Sequence, residues 1–429
     1  MNGPQPLSLG LNARLSVMMF LQYAIWGAWL PLFWSFLTEH RHISPKDTGN
    51  LFSIAAIGAL LAPWIVGQFA DRYFHTERFL AFSHIVGGVL VWQLAWIDSY
   101  GGLVAFGILY SLVYAPTLPL TNSLAFHHLP DRDRDFGRVR VWGTVGWIVV
   151  GISIGQWLLH RHTPEGANLT KEVIRAAQVA GMADSFRLSG LLGVFLGLYC
   201  LTLPKTPPQT GKARYAPFEA LGEVKKMPLL ALFLISFPIA CAHQFYFVHT
   251  AGFLGTLDHP AAEKINSVFG VGGGGLMTIG QMAEILVLAF MPFFAKRFSR
   301  KSVLAVGLAA YTARFAIFAY VPAPEAIVPA LALHGLVFGC FFFVCFMIVD
   351  EHTSSDVRAS AQGLFNLVVV GVGTIAGNLL AGEVAGVASA SGKMDFRLLF
   401  SIPMWACAAC LVLLLLVYPR APKLRAQAA

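Results

Sequence analysis

The sequence predicts an all-α membrane protein with about twelve spanning helices, and three observations carry that reading. Of its 429 residues, 56% are hydrophobic and only 12% charged, where an ordinary soluble domain carries about 25% charged residues. Apolar runs of about 18–25 residues recur from end to end, each long enough to cross a bilayer as a helix. The basic residues between those runs are shared unequally by two sides.

Lipid offers no partner to a backbone N–H or C=O, so each run can satisfy its own backbone only as a helix. The runs are centred near Ala24, Gly58, Gly88, Ser111, Val149, Phe195, Pro238, Gln281, Ala309, Gly335, Val370 and Ala408. The first, from Leu15, lacks a small-residue cleavage site and follows thirteen residues without a charged side chain. It reads as a retained helix rather than a signal peptide.

A formal charge of +8 could point to nucleic acid, but its distribution does not. With both termini in the cytoplasm, the cytoplasmic loops hold clusters such as Arg132, Arg134 and Arg138, or Lys296, Arg297, Arg300 and Lys301. The opposite face keeps scattered cations, among them Arg41, Lys46, Arg175 and Lys393. That is the positive-inside pattern, and the basic excess is topological.

Two landmarks recur. Phe69-Ala70-Asp71-Arg72 follows the second run and Phe294-Ala295-Lys296-Arg297 the eighth; Val139-Arg140-Val141 precedes the fifth core and Val357-Arg358-Ala359 the eleventh. Each pair of arginines is about 220 positions apart, the mark of two parallel six-helix halves as in major facilitator transporters. The expected division is 1–203, a cytoplasmic linker over 204–227 that is polar and Pro-rich, and 228–429.

Glu284 is the most informative residue. It lies inside the apolar run from Val271 to Phe294, where a carboxylate costs about 2.5–3.5 kcal/mol by insertion scales. Gln281 is three residues earlier and shares its helical face. An inward polar pair on a spanning helix points to a solute or proton site. Arg140, Thr144 and Trp147 fall on one stripe at the start of the fifth helix. They are read either as a wall for a polar, ring-bearing solute or as an interfacial arginine with packing neighbours. Arg314, deep in the ninth run, reads as a structural pairing or as snorkelling from a peripheral helix. Gly67, Asp71 and Arg72 in Gly67-Gln-Phe-Ala-Asp71-Arg72 form a loop motif, Gly-x-x-x-Asp-Arg, common to major facilitators; it identifies fold and gate rather than solute.

Other patterns imply no cofactor and no metal. Gly272 to Gly275 and Gly371 to Gly377 are read as parts of spanning helices without a preceding strand, so neither is a phosphate-binding loop. All six cysteines fall in apolar runs, and the thirteen histidines show no zinc spacing; His334 alone is a candidate for the solute path.

Phe20-Leu-Gln-Tyr-Ala-Ile-Trp26-Gly-Ala-Trp29, Pro116-Thr-Leu, Arg140-Val-Trp-Gly-Thr-Val-Gly-Trp147, Gln281-x-x-Glu284, Arg314-Phe-Ala-Ile-Phe-Ala-Tyr320 and Arg358-Ala-Ser-Ala-Gln-Gly363 resemble the bacterial nucleoside:proton symporters. The resemblance runs from the first helix to the eleventh. It implies a major facilitator fold in the inner membrane and import of nucleosides with protons. It also implies that Gln281, Glu284 and Gln244 bind the solute, that Thr144 lies in the matching stripe of the fifth helix, and that Arg140 faces Glu284; Trp147, on the same stripe, is expected to offer a stacking face. Two departures stand out. Counted without gaps, Gly339 takes the place of a carboxylate, and Phe247 that of an amide. They imply weaker dependence on ribose hydroxyls.

The expected partners are therefore a nucleoside-like solute, protons and the lipid bilayer, with no nucleic acid, and the protein is expected to act as a monomer. A transporter of another solute, such as a sugar or a modified nucleoside without proton coupling, is the competing reading. A membrane enzyme would need a nucleophile–base set or metal cluster that the sequence does not offer. A sensor would need an output domain larger than the polar stretches 160–185 and 204–227.

Overall fold

A computed structural model describes residues 6–65, 73–166, 169–208, 217–257, 260–353 and 358–419. Every regular element among them is helical, and each run centre named above falls inside a helical segment. Ten segments among the described residues are long and apolar enough to cross a membrane, from Leu9–His40 to Phe396–Val417. The centres Gly58 and Gly88 lie in the further helices Pro45–Ile65 and Thr76–Gln93.

Capping side chains fix several helix starts by satisfying first-turn N–H groups that have no carbonyl partner. Ser8 accepts from the Leu11 N–H, Asp131 from Arg134, Ser299 from Ser302 and Asp395 from Leu398, at 3.0–3.3 Å. The Asp131 cap corrects one expectation. The helix runs Arg132–Arg161, so Arg140 lies about two turns inside it rather than at its start. The charged stretch before Arg140 hides this from hydropathy.

The Gly272–Gly275 reading is also corrected. A break separates the helices Pro260–Phe269 and Gly274–Arg297, and Gly270, Gly272 and Gly273 have φ of 76°, 86° and 81°. Only glycine adopts that region freely, and a Cβ at Gly273 would overlap the Ala251 carbonyl. Gly272 and Gly273 thus turn the chain, while Gly274 and Gly275 do lie in the spanning helix, as read. Within the expected linker, Pro217–Val224 is a short helix.

The helices form two compact units. The first holds Met1–Lys212, Gln244–Thr278 and Thr374–Met394. Lipid tails are as apolar as leucine, so close backbone approach matters more here than apolar burial. In this unit Leu9–Trp29 packs on Arg132–Arg161, and a Cβ at Gly146 would overlap the Phe20 carbonyl. The end of Pro45–Ile65 meets the helix Gly373–Ala388. Ser53 donates to the Ile375 carbonyl at 3.2 Å, and Lys46 pairs with Glu383 at 2.8 Å. Nearby, the Val271 N–H donates to the Gly155 carbonyl at 3.1 Å and Gln156 to the Ser267 carbonyl at 2.9 Å.

The second unit holds Ala213–His243, Ile279–Gly373 and Asp395–Ala429. Its centre is Arg300–Tyr320, packed on Phe396–Val417 and on Pro324–Val337. The rings of Phe315 and Phe318 lie 6.0 and 5.3 Å from that of Phe400. All six cysteines are buried as small apolar side chains.

Candidate transport site

In the second unit, Gln281 and Glu284 lie one turn apart on Gly274–Arg297. Gln281 is 6% exposed, and its Oε1 has no hydrogen-bond partner among the described residues. The Glu284 side chain is 14% exposed. Gly335 lets the helix Pro324–Val337 press against this stretch: a Cβ there would come within 2.8 Å of the Glu284 nitrogen. That approach brings the neighbouring His334, 2% exposed, to the acidic group. Its Nε2 is 3.8 Å from Glu284 Oε2, and its Nδ1 accepts from Arg314 Nη1 at 3.0 Å. The His243 ring stacks on His334 at 5.9 Å and 12°, and the Tyr311 hydroxyl is 2.5 Å from His243 Nδ1.

Arg314 is 0% exposed. Snorkelling is therefore wrong, and the pairing alternative is the one observed. The guanidinium sits among the rings of Tyr311 and Phe315, with centroids 5.1 and 5.3 Å away. His334, weighed in the sequence only as a lining residue, is the link between Arg314 and Glu284.

The first unit holds Arg140, Thr144, Trp147 and Gln244. The Arg140 guanidinium lies 4.1 Å from the Tyr23 ring centroid, a cation–π contact. Trp147 packs over Gly27, and its ring meets Trp26 and Phe247 edge-on at 6.0 and 6.5 Å. Gln244 donates to the Thr374 hydroxyl at 3.4 Å. Thr374 is a partner that spacing did not reveal, because it lies on another helix. Gln22 donates to Thr117 at 2.8 Å, which joins two of the motifs that carried the resemblance. Thr144 is half-buried. Gly67, Asp71 and Arg72 lie outside the described residues.

Gly339 sits in a π-helical turn, Phe338–Phe343. Such a turn carries an extra residue, so α-helical steps no longer give the faces beyond it. A Cβ at Gly339 would lie 2.6 Å from Val287 Cγ1 and 3.4 Å from Met291 Cε. Gly339→Asp would thus force a carboxylate against apolar side chains. Overpacking of this kind costs about 1–3 kcal/mol. A lower yield of folded protein in detergent is the expected result, whatever happens to selectivity.

The sequence profile described as "Nucleoside H+ symporter" matches residues 9–423. The chain belongs to that family. Among relatives, YegT of Escherichia coli (strain K12) is 32% identical over 380 residues, covering 86% of this chain and 84% of that one. The xanthosine permease of the same organism is 30% identical over 410 residues, 92% of each chain. The crystal structure of the nucleoside transporter NupG superposes with a TM-score of 0.81 at 24% identity, covering 95% of this chain and 98% of that one. The fold is that of a major facilitator transporter, and this symporter is a multi-pass protein of the inner membrane.

Proposed function

We propose that this family member imports nucleosides together with protons, with Gln281 and Glu284 at the centre of recognition. The observation that supports this most is the buried Gln281 amide, whose Oε1 lacks a partner among the described residues. A buried polar atom left unbonded costs about 1–3 kcal/mol, which a solute hydroxyl or N–H would recover. Gln281→Ala is expected to weaken solute binding roughly 5- to 150-fold, read by equilibrium binding of labelled nucleoside. Wild-type affinity in that variant would remove Gln281 from the site. Gln244 and Thr144 supply further hydrogen bonds in this reading, and Trp147 a ring face. Glu284 takes up the transported proton, and Arg140 serves as a counter-cation to it during the cycle. Gly67, Asp71 and Arg72 belong to a gating loop.

Substrate range follows from Phe247, whose ring packs edge-on to Trp147 where an amide is expected. An aromatic edge gives no hydrogen bond to a ribose hydroxyl, so deoxynucleosides should compete with labelled nucleoside nearly as well as ribonucleosides do. Free bases and hexoses form the other arms of the same competition. Strong discrimination against deoxynucleosides would overturn the assignment of range, and preferential competition by hexoses would overturn nucleosides as the solute.

A further inference from the structure

Arg314 and His334 are buried groups to which the family resemblance gives no role and which the proposed recognition site does not use. Arginine is donor-only and always charged, so its bond to His334 Nδ1 requires that nitrogen to present a lone pair. The ring proton is then on Nε2, the nitrogen that faces Glu284. His334 cannot gain a second proton on Nδ1 without giving up the Arg314 bond. A cation, a neutral ring of fixed tautomer and a carboxylate therefore stand in one line. The stacked His243, held by Tyr311, keeps the ring in place.

We infer that Arg314 is a positioning residue for proton coupling, acting on Glu284 through His334 as a built-in counter-charge. The inference rests on Glu284 as the coupling carboxylate. The titratable and charged groups around this line are Glu284 itself, His334 from Pro324–Val337, Arg314 and Tyr311 from Arg300–Tyr320, His243 from Leu229–Gly255, and the buried thiol Cys407 of the packed helix Phe396–Val417. With Glu284 ionised, the line is neutral overall. When Glu284 takes a proton, the guanidinium keeps its charge and the line gains one unit of positive charge. The line thus opposes protonation, and moving the ring away from Glu284 favours it. No proton needs to pass through the ring.

The test is nucleoside uptake into proteoliposomes, driven by a pH gradient, over a series of internal and external pH values. His334→Gln keeps an acceptor toward Arg314 and a donor toward Glu284 but cannot be protonated. It is expected to retain uphill accumulation with a near wild-type pH profile. Loss of accumulation with downhill exchange intact would mean that the ring itself carries the proton, and would overturn the inference. His334→Phe keeps ring volume and stacking but severs both polar links. Its half-maximal pH should move upward by at least about half a unit, because the carboxylate then loses the Nε2–H dipole that faces it and that Arg314 holds in place. Arg314→Gln keeps a donor toward His334 but removes the charge, so its half-maximal pH should also move upward, and an unchanged profile there would overturn the inference. An unchanged profile in His334→Phe would overturn the inference too; if that variant fails to assemble, the His334→Gln result decides. Persistent pH-gradient-driven uptake in Glu284→Gln would instead remove Glu284 from coupling, which is a separate failure.

Discussion

Glu284→Gln is expected to abolish accumulation of nucleoside against its gradient while downhill exchange continues. The amide keeps the size and hydrogen-bonding character of the side chain but cannot exchange a proton at the pH of transport. Glu284 lies 14% exposed on a spanning helix, where a carboxylate is costly to keep. Its persistence there is explained if proton uptake and release are its task. The readout is the ratio of internal to external labelled nucleoside at steady state under an inward proton gradient. That ratio should fall to the equilibrium value, with counterflow of nucleoside still measurable. Undiminished uphill uptake in a correctly assembled variant would sink the coupling role.

A second large effect is expected at Gly49 and Gly382. A Cβ at Gly49 would stand 2.7 Å from the Asn378 carbonyl oxygen and 2.9 Å from the α-carbon of Gly382. Lys46–Glu383 and Ser53–Ile375 flank this approach, at the end that the charge asymmetry places outside. Gly49→Leu and Gly382→Leu cannot fit the arrangement seen here. Overpacking by about 1–3 kcal/mol would bias the cycle away from it and lower net uptake at least about fivefold. Gly10→Ala, with nothing within 4 Å of the added Cβ, is the control and should transport normally. Wild-type uptake in both leucine variants would show that this close approach is not a required state.

Most of the fold was legible because lipid leaves the backbone few choices. Hydropathy located every helical centre from Ala24 to Ala408, since a spanning run that did not form a helix would strand its own amides. It misjudged boundaries wherever the deciding chemistry was not apolar. The Asp131 cap extends a helix through charged residues, and the left-handed glycines around Gly273 break an apolar run that reads as continuous.

The candidate site was legible to a similar depth. Glu284 and Gln281 announce themselves by the cost of polar groups in a bilayer. Arg314 does so too, but its partner does not: His334 is twenty residues away on another helix, and no periodicity connects them. The Gln244–Thr374 contact was hidden for the same reason. Local spacing names the polar residues, and only the packing of helices says which of them meet.

The most direct test of nucleoside–proton symport is a paired flux measurement on the wild-type protein in proteoliposomes loaded with a pH-sensitive dye. Addition of external nucleoside at uniform starting pH should acidify the lumen in step with uptake of label. An imposed inward proton gradient should raise internal label above the external concentration, and a protonophore should collapse it. Uptake that stops at equal concentrations, with no acidification, would contradict proton coupling at Glu284.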